Sequence, residues 1–284
     1  MLKRLLLSIF YHLACIIIIM IKKDEIDNFI EKIPPAPKIL LETIEFLKKG
    51  ELTKAADMAK NDFAICSYLK TVVNAPIYGF RSEISDIKQI FAIFGVGLSY
   101  QVVYNYMISL LSPSKWELFT LNKALFYSLQ ANLSKRWEKI LLHLDIKDKD
   151  IYSSIALLPA SIIVTEALFS KHKQEVLLLR ETKNLDYNTI LKRLSGLDLF
   201  DISSMVAQKW HMPKIASDIL VASSGTREVA DEQIVTLAKW MHLLLFYELS
   251  QESFINSGLN DFIEFNIDFV GEIYEDFAKL MDIS

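Results

Sequence analysis

Residues that break helices are scarce in this chain. Seven prolines and eight glycines serve 284 residues, too few for the frequent tight corners of a β-sandwich or barrel. Between these breakers, apolar residues recur three and four positions apart, as in Ile39, Leu40, Ile44 and Leu47. That spacing places them on one side of an α-helix. The expected class is therefore all-α.

Composition agrees with a folded body. Hydrophobic residues make up 52% and charged residues 23%, and 284 residues suffice for one large core or two modest ones. A net charge of -4 exerts no global pull on nucleic acid, and none is expected as a partner. The charge is unevenly placed. Residues 1–240 are net +4, whereas residues 241–284 carry nine acids against Lys279 and are net -8. The acidic end is expected to meet a basic partner, to pack beside the body or to face solvent. Cys15 and Cys66 are too few for a disulfide framework and lack metal-site spacing, so inert buried thiols are expected. His12, His143, His172, His211 and His242 are so spread that no two share a helix turn. No cofactor is expected: neither a phosphate-binding glycine loop nor a nucleophile elbow is present.

Residues 1–24 form a separate apolar segment. Lys3 and Arg4 precede the run Leu5 to Ile21, and Lys22 and Lys23 close it. It reads as a short membrane anchor or signal-like stretch, as a helix on the body, or as the product of a start assigned upstream of Met20.

Ile33-Pro34-Pro35-Ala36-Pro37 is a rigid extended lead-in, and Pro37 sets a helix start behind it. Gly50 closes that helix. Further helices are expected from Leu52 to Lys60, from Phe63 to Asn74 behind an Asp62 cap, and after a Ser85 cap. Gly95 and Gly97 should divide the last of these. Pro76 and Gly79 mark a turn, which Asn74 and Tyr78 are expected to brace against the rest. Ser112-Pro113-Ser114 is the clearest internal break. Helices are then expected at Trp116–Leu133, Ile151–Phe169 with a kink at Pro159, Tyr187–Leu194, Asp201–Trp210 and Pro213–Val221. Two long ones, Val229–Leu249 and Leu259–Leu280, should close the chain. On the last, Glu264, Asp268, Glu272 and Asp276 would form an acidic stripe. Ser223-Ser224-Gly225-Thr226-Arg227 offers a small anion nest at a helix start. The division expected is an N-terminal five-helix bundle (25–112), a larger helical part (113–228) and C-terminal helices with the acidic tail (229–284).

Several of these elements together resemble the HDOD family, helical proteins related to HD-type metal-dependent phosphohydrolases. The residues that carry the resemblance are Ile33-Pro34-Pro35-Ala36-Pro37, Asp62-Phe63-Ala64-Ile65, Asn74-Ala75-Pro76-Ile77-Tyr78-Gly79, Ile84-Ser85, Gly196-Leu197-Asp198 and Trp210-His211-Met212-Pro213. It extends from about Ile33 to Gly225 and implies an HD-like helical fold. Pro34, Pro35, Pro37, Asn74, Tyr78, Gly79, Ser85, Trp210 and Pro213 are its structural or interaction positions. The departures concern the metal centre. Where catalytic HD proteins place His-Asp after Leu-Leu, this chain has Pro159-Ala160. Leu199 replaces a histidine, and Ser223-Ser224 stand where relatives have His-His. Leucine, proline and alanine offer no lone pairs to a divalent ion. No metal and no catalytic residue is expected.

The expected function is a non-catalytic bacterial signalling module that acts through protein–protein contact with a signalling partner, with a small-molecule regulator as a further expectation. Its expected location is cytoplasmic, or the inner membrane facing the cytoplasm if residues 5–21 anchor it. The competing readings are an atypical phosphohydrolase using Asp198 and Asp201, and a membrane-tethered scaffold. The interaction reading expects Pro159, Ala160 and Leu199 to line an apolar or collapsed site.

Overall fold

A computed structural model describes residues 23–260 and 262–283. The apolar segment 5–21 and Cys15 therefore lie outside the described residues. Among the described residues every regular element is helical. The N-terminal set is α1 (Lys23–Glu31), α2 (Lys38–Lys48), α3 (Leu52–Ala59), α4 (Phe63–Val73) and α5 (Ile87–Ser109). The middle of the chain forms α6 (Lys123–His143), α7 (Lys149–Tyr152), α8 (Leu157–Phe169), α9 (Lys173–Lys183), α10 (Tyr187–Ser195), α11 (Leu199–Lys209) and α12 (Lys214–Ala222). After α13 (Glu232–Leu249) come three short helices, α14 (Glu252–Ile255), α15 (Ile267–Val270) and α16 (Tyr274–Leu280).

Helix starts follow local capping chemistry. The Asp62 carboxylate accepts the N–H groups of Ala64 and Ile65 at 2.7 and 3.1 Å, satisfying donors that the first turn leaves free. Asn122, Asp186 and Asp231 do the same for α6, α10 and α13. The cap of α5 is Asp86, not Ser85: its carboxylate accepts the Gln89 N–H at 2.9 Å, and Ser85 is exposed one residue outside. Gly95 breaks α5 as expected, with φ +64° and ψ -173°, a conformation open essentially to glycine alone. Gly97 lies inside the second segment, where the Tyr152 ring packs so close that an added Cβ would stand 3.1 Å from it.

Three expected helices are corrected. Ile151–Phe169 is not one kinked helix: a 3-10 turn at Ser153–Ala156 precedes α8, and Pro159 is the third residue of α8. Its missing N–H is one that the first turn would leave without an intrahelical acceptor anyway, so no kink is needed. Trp116–Asn122 is an irregular strap, bent at Glu117–Phe119, rather than the start of α6. The final helix breaks into α15, a 3-10 turn at Gly271–Ile273 and α16. Glu264, Asp268, Glu272 and Asp276 consequently form no continuous stripe, which removes the like-charge repulsion that i, i+4 spacing would impose.

One core runs through the described chain, from Ile26 to Met281. The helix α5 is its hub, packed by α2, α3, α4, α6, α7 and α8. Around α8, the helices α11 and α12 form a second layer, and α13 packs on both α12 and α6. The helix α1 packs mainly on α8 and α11, so the N-terminal segment crosses onto the larger half. Among the described residues two helical stretches are long and apolar enough to cross a membrane, Ile87–Ser109 and Lys149–Lys183, and 94% of the apolar window of the second is buried in the core. Among the described residues the acidic end is paired with the basic body by Glu248 with Arg136, Glu272 with Lys239 and Asp282 with Lys139.

Candidate functional site

The proline lead-in and the Trp210 motif, 176 residues apart, meet in space. Pro34 lacks an N–H but keeps its carbonyl, and the buried Trp210 indole donates to that oxygen at 2.8 Å. Pro37 and Pro213 precede α2 and α12 in the same way, each with ψ near 130° ahead of the first helical turn. Between Trp210 and Pro213, His211 takes φ +52° and is exposed. The tight connection turns α11 back into α12. The motif thus clamps α1 and α2 against the α11–α12 pair; Pro35 is exposed beside it.

Asn74 ends α4 and pins a distant strand-like segment rather than the Pro76–Gly79 turn. Its side-chain N–H groups donate to the carbonyls of Lys70 and Ile84 at 2.8 Å, and its oxygen accepts the Ile84 N–H at 2.9 Å. Gly79 closes the 3-10 turn Pro76–Tyr78 in a left-handed conformation, φ +67°. The Tyr78 ring packs 5.3 Å from Phe94, and the Lys135 ammonium of α6 lies 5.7 Å from it. Burial first, and the charge of Glu138 second, hold the Tyr78 hydroxyl well above its ordinary range. Asn74 and Tyr78 together tie α4, the turn and α6 into one unit.

The positions where the resemblance expects metal ligands sit in closed packing. Pro159, Ala160 and Leu199 are buried on α8 and at the start of α11, two helices in extensive contact. The Ser223 hydroxyl donates to the Ile219 carbonyl at 2.7 Å, and the Ser224 hydroxyl to Val221 at 2.9 Å. Both serines are thus turned back onto their own helix. These five residues do not fit a divalent ion: three have no side-chain donor atom, and two have engaged hydroxyls. Among the described residues no group of three or more His, Cys, Asp or Glu side chains is placed to hold a metal ion.

The segment 223–227 is at the end of α12, so the nest expected at a helix start is absent; its outward-pointing groups are carbonyls. One of them, Ser223 O, accepts from Nδ1 of the buried His242 at 2.9 Å, while Nε2 accepts the Asn266 N–H at 3.3 Å. That pairing requires the neutral ring, and burial holds the His242 pKa below its ordinary value.

Asp198 and Asp201 form the reciprocal cap of α11. Each carboxylate accepts the backbone N–H of the other residue, at 2.9 and 3.1 Å. Arg227 reaches both carboxylates, at 3.3 and 2.5 Å. Burial raises the Asp198 carboxyl above its usual range, opposed by the Asp201 N–H. Lone pairs committed to a cap and a guanidinium are not free to activate water.

The HDOD domain family matches residues 33–224. The chain belongs to the HDOD domain family. The crystal structure of an HDOD domain protein with unknown function from Geobacter sulfurreducens is similar in fold, with 15% identity, a TM-score of 0.61 and coverage of 88% of this chain and 92% of that one. A virulence factor from Campylobacter jejuni subsp. jejuni is 18% identical over 90% of this chain and 98% of that one, with a TM-score of 0.40. No curated protein matches. Within this HDOD domain the sequence reading missed one prominent residue, Glu166. Its buried carboxylate accepts three successive backbone N–H groups of the strap, those of Glu117, Leu118 and Phe119, at 2.6 to 3.1 Å. Lys173 holds the Glu117 carbonyl at 2.7 Å. The only signal in the sequence was an acid in the otherwise uncharged stretch Leu157–Phe169.

Proposed function

We propose that this HDOD domain is a non-catalytic regulatory module that works by docking a separate protein partner. The observation that carries the reading is the fate of the metal positions: Pro159, Ala160 and Leu199 are core residues, and Ser223 and Ser224 are bonded to their own helix. Metal-assisted hydrolysis needs several donors converging on one ion and an activated water, and these residues supply neither. The carboxylates beside Leu199, Asp198 and Asp201, serve as a helix cap and share the single guanidinium of Arg227. What such a fold retains is a rigid surface, braced by the Trp210–Pro34 bond and the Asn74–Ile84 pairing.

The test has two arms on the full chain. In-cell crosslinking identifies neighbours, and each candidate is then purified and titrated against the chain. The reading expects one signalling protein to bind with defined stoichiometry in the purified system. In the second arm, bis-p-nitrophenyl phosphate with added manganese should show no turnover above buffer. Turnover that Asp198→Asn abolishes would favour the phosphohydrolase reading instead.

A further inference from the structure

We propose that the groove between α4, the C-terminal end of α5 and the start of α6 is a binding site for a small planar aromatic anion. This inference rests on the geometry of the groove and stands apart from the docking reading. The groove encloses about 970 Å³, within the range of small-molecule sites. The lining holds two groups of rings, with Tyr127 and Trp116 the more open members. Tyr68 is 5.1 Å from Tyr106 and 4.7 Å from Tyr127, and Trp116 is 5.5 Å from Phe126. At the mouth stand Phe63, 89% exposed, and Leu110, 43% exposed. A phenylalanine so exposed at the rim of a cavity offers a face for stacking without displacing any packed neighbour.

The charge of the lining has one sign. Lys115 and Lys123 line the groove, and no carboxylate does. Lys115 is engaged by the exposed Glu117 at 2.6 Å. Lys123 makes no ion pair among the described residues; its ammonium rests 5.5 Å from the centre of the Tyr127 ring. The 21-residue helix α6 starts at Lys123, so the positive end of its dipole adds to the same edge. Asp62, the acid beside Phe63, caps α4 and is not among the lining residues, though its charge is felt at Tyr106. A ring system laid on the Tyr127 ring would bring an attached anionic group to Lys123. Such an occupant would also join α4 of the N-terminal bundle to the Trp116–Asn122 strap, the segment that Glu166 fixes to α8.

Two fluorescent probes test this on the full chain. One is 8-anilinonaphthalene-1-sulfonate, an aromatic anion; the other is N-phenyl-1-naphthylamine, its neutral counterpart. The anion should bind saturably with a stoichiometry of one and more tightly than the neutral probe. Lys123→Gln should weaken the anion about fivefold, as removal of a solvent-facing charge partner does, and leave the neutral probe unchanged. Tyr127→Ala should weaken both. Lys123 is exposed, so its substitution does not threaten the fold; Lys88→Gln, on another face, serves as the control. No saturable binding, equal affinity for the two probes, or anion binding indifferent to Lys123→Gln would overturn the proposal.

Discussion

Replacing Glu166 by glutamine should uncouple the Trp116–Asn122 strap from the body. The carboxylate is 2% exposed and accepts three backbone N–H groups through two oxygens. Leu118 and Phe119 are themselves buried, so their N–H groups have no water to turn to. Glutamine keeps one accepting oxygen and presents an N–H₂ group where the second stood. One charge-assisted bond is lost and the other two are reduced to neutral ones; at about 1.5–3 kcal/mol for a bond to a charged group and about 0.5–1.5 for a neutral one, the cost should be about 3–6 kcal/mol. That is a large fraction of the roughly 5–15 kcal/mol that keeps a domain folded. Urea unfolding should show a lower midpoint at unchanged slope. Amide exchange should accelerate first at Leu118 and Phe119. A loss below about 1 kcal/mol with exchange at those amides unchanged would refute the reasoning, because it would mean that the three bonds contribute no more than water does.

Other expectations follow from single contacts. Trp210→Phe keeps the ring in its pocket but removes the donor to Pro34; it should cost about 1–2 kcal/mol in urea unfolding and expose the lead-in to limited proteolysis. Arg136→Ala leaves the fully buried Glu248 without its guanidinium partner and should cost about 3–5 kcal/mol, more than the double change Arg136→Met with Glu248→Leu. His242 is neutral in the fold with its pKa depressed below the ordinary 6.5. Its contribution is therefore complete above pH 6.5 and is lost as pH falls toward the folded value, since the unfolded chain takes the proton first. A His242→Gln variant should show a shallower loss of stability over that window, and equal slopes would contradict the assignment. Gly95→Ala forces a Cβ into a conformation near φ +64° and should cost about 1–3 kcal/mol in thermal unfolding.

Much of the fold was legible because its cues are local. Asp62 as a cap, Gly50 past the end of α2 and Gly95 as a break all depend on residues within one turn. The Trp210 and proline motifs were legible as elements, but their 2.8 Å contact spans 176 residues and leaves no trace in periodicity. The strap was missed for the same reason: Trp116–Asn122 has helix-compatible residues, and a carboxylate nearly fifty positions away holds its N–H groups instead. The last helix failed differently. Asn266 caps a new start and Gly271 begins a tighter turn, weak cues that the apolar spacing of Phe265, Phe269 and Ile273 outweighed. The Ser85 error was a shift of one residue, since Asp86 is the better cap for α5. At the metal positions the substitutions themselves were the cue, because no rearrangement gives proline, alanine or leucine a side-chain lone pair.

The most direct test of that loss is the metal content of the native full-length chain. After purification without chelators and equilibration with manganese, inductively coupled plasma mass spectrometry should find well under one equivalent bound, and thermal stability should not change on chelation. One tightly held manganese per chain, with stability that falls when it is stripped, would contradict the account.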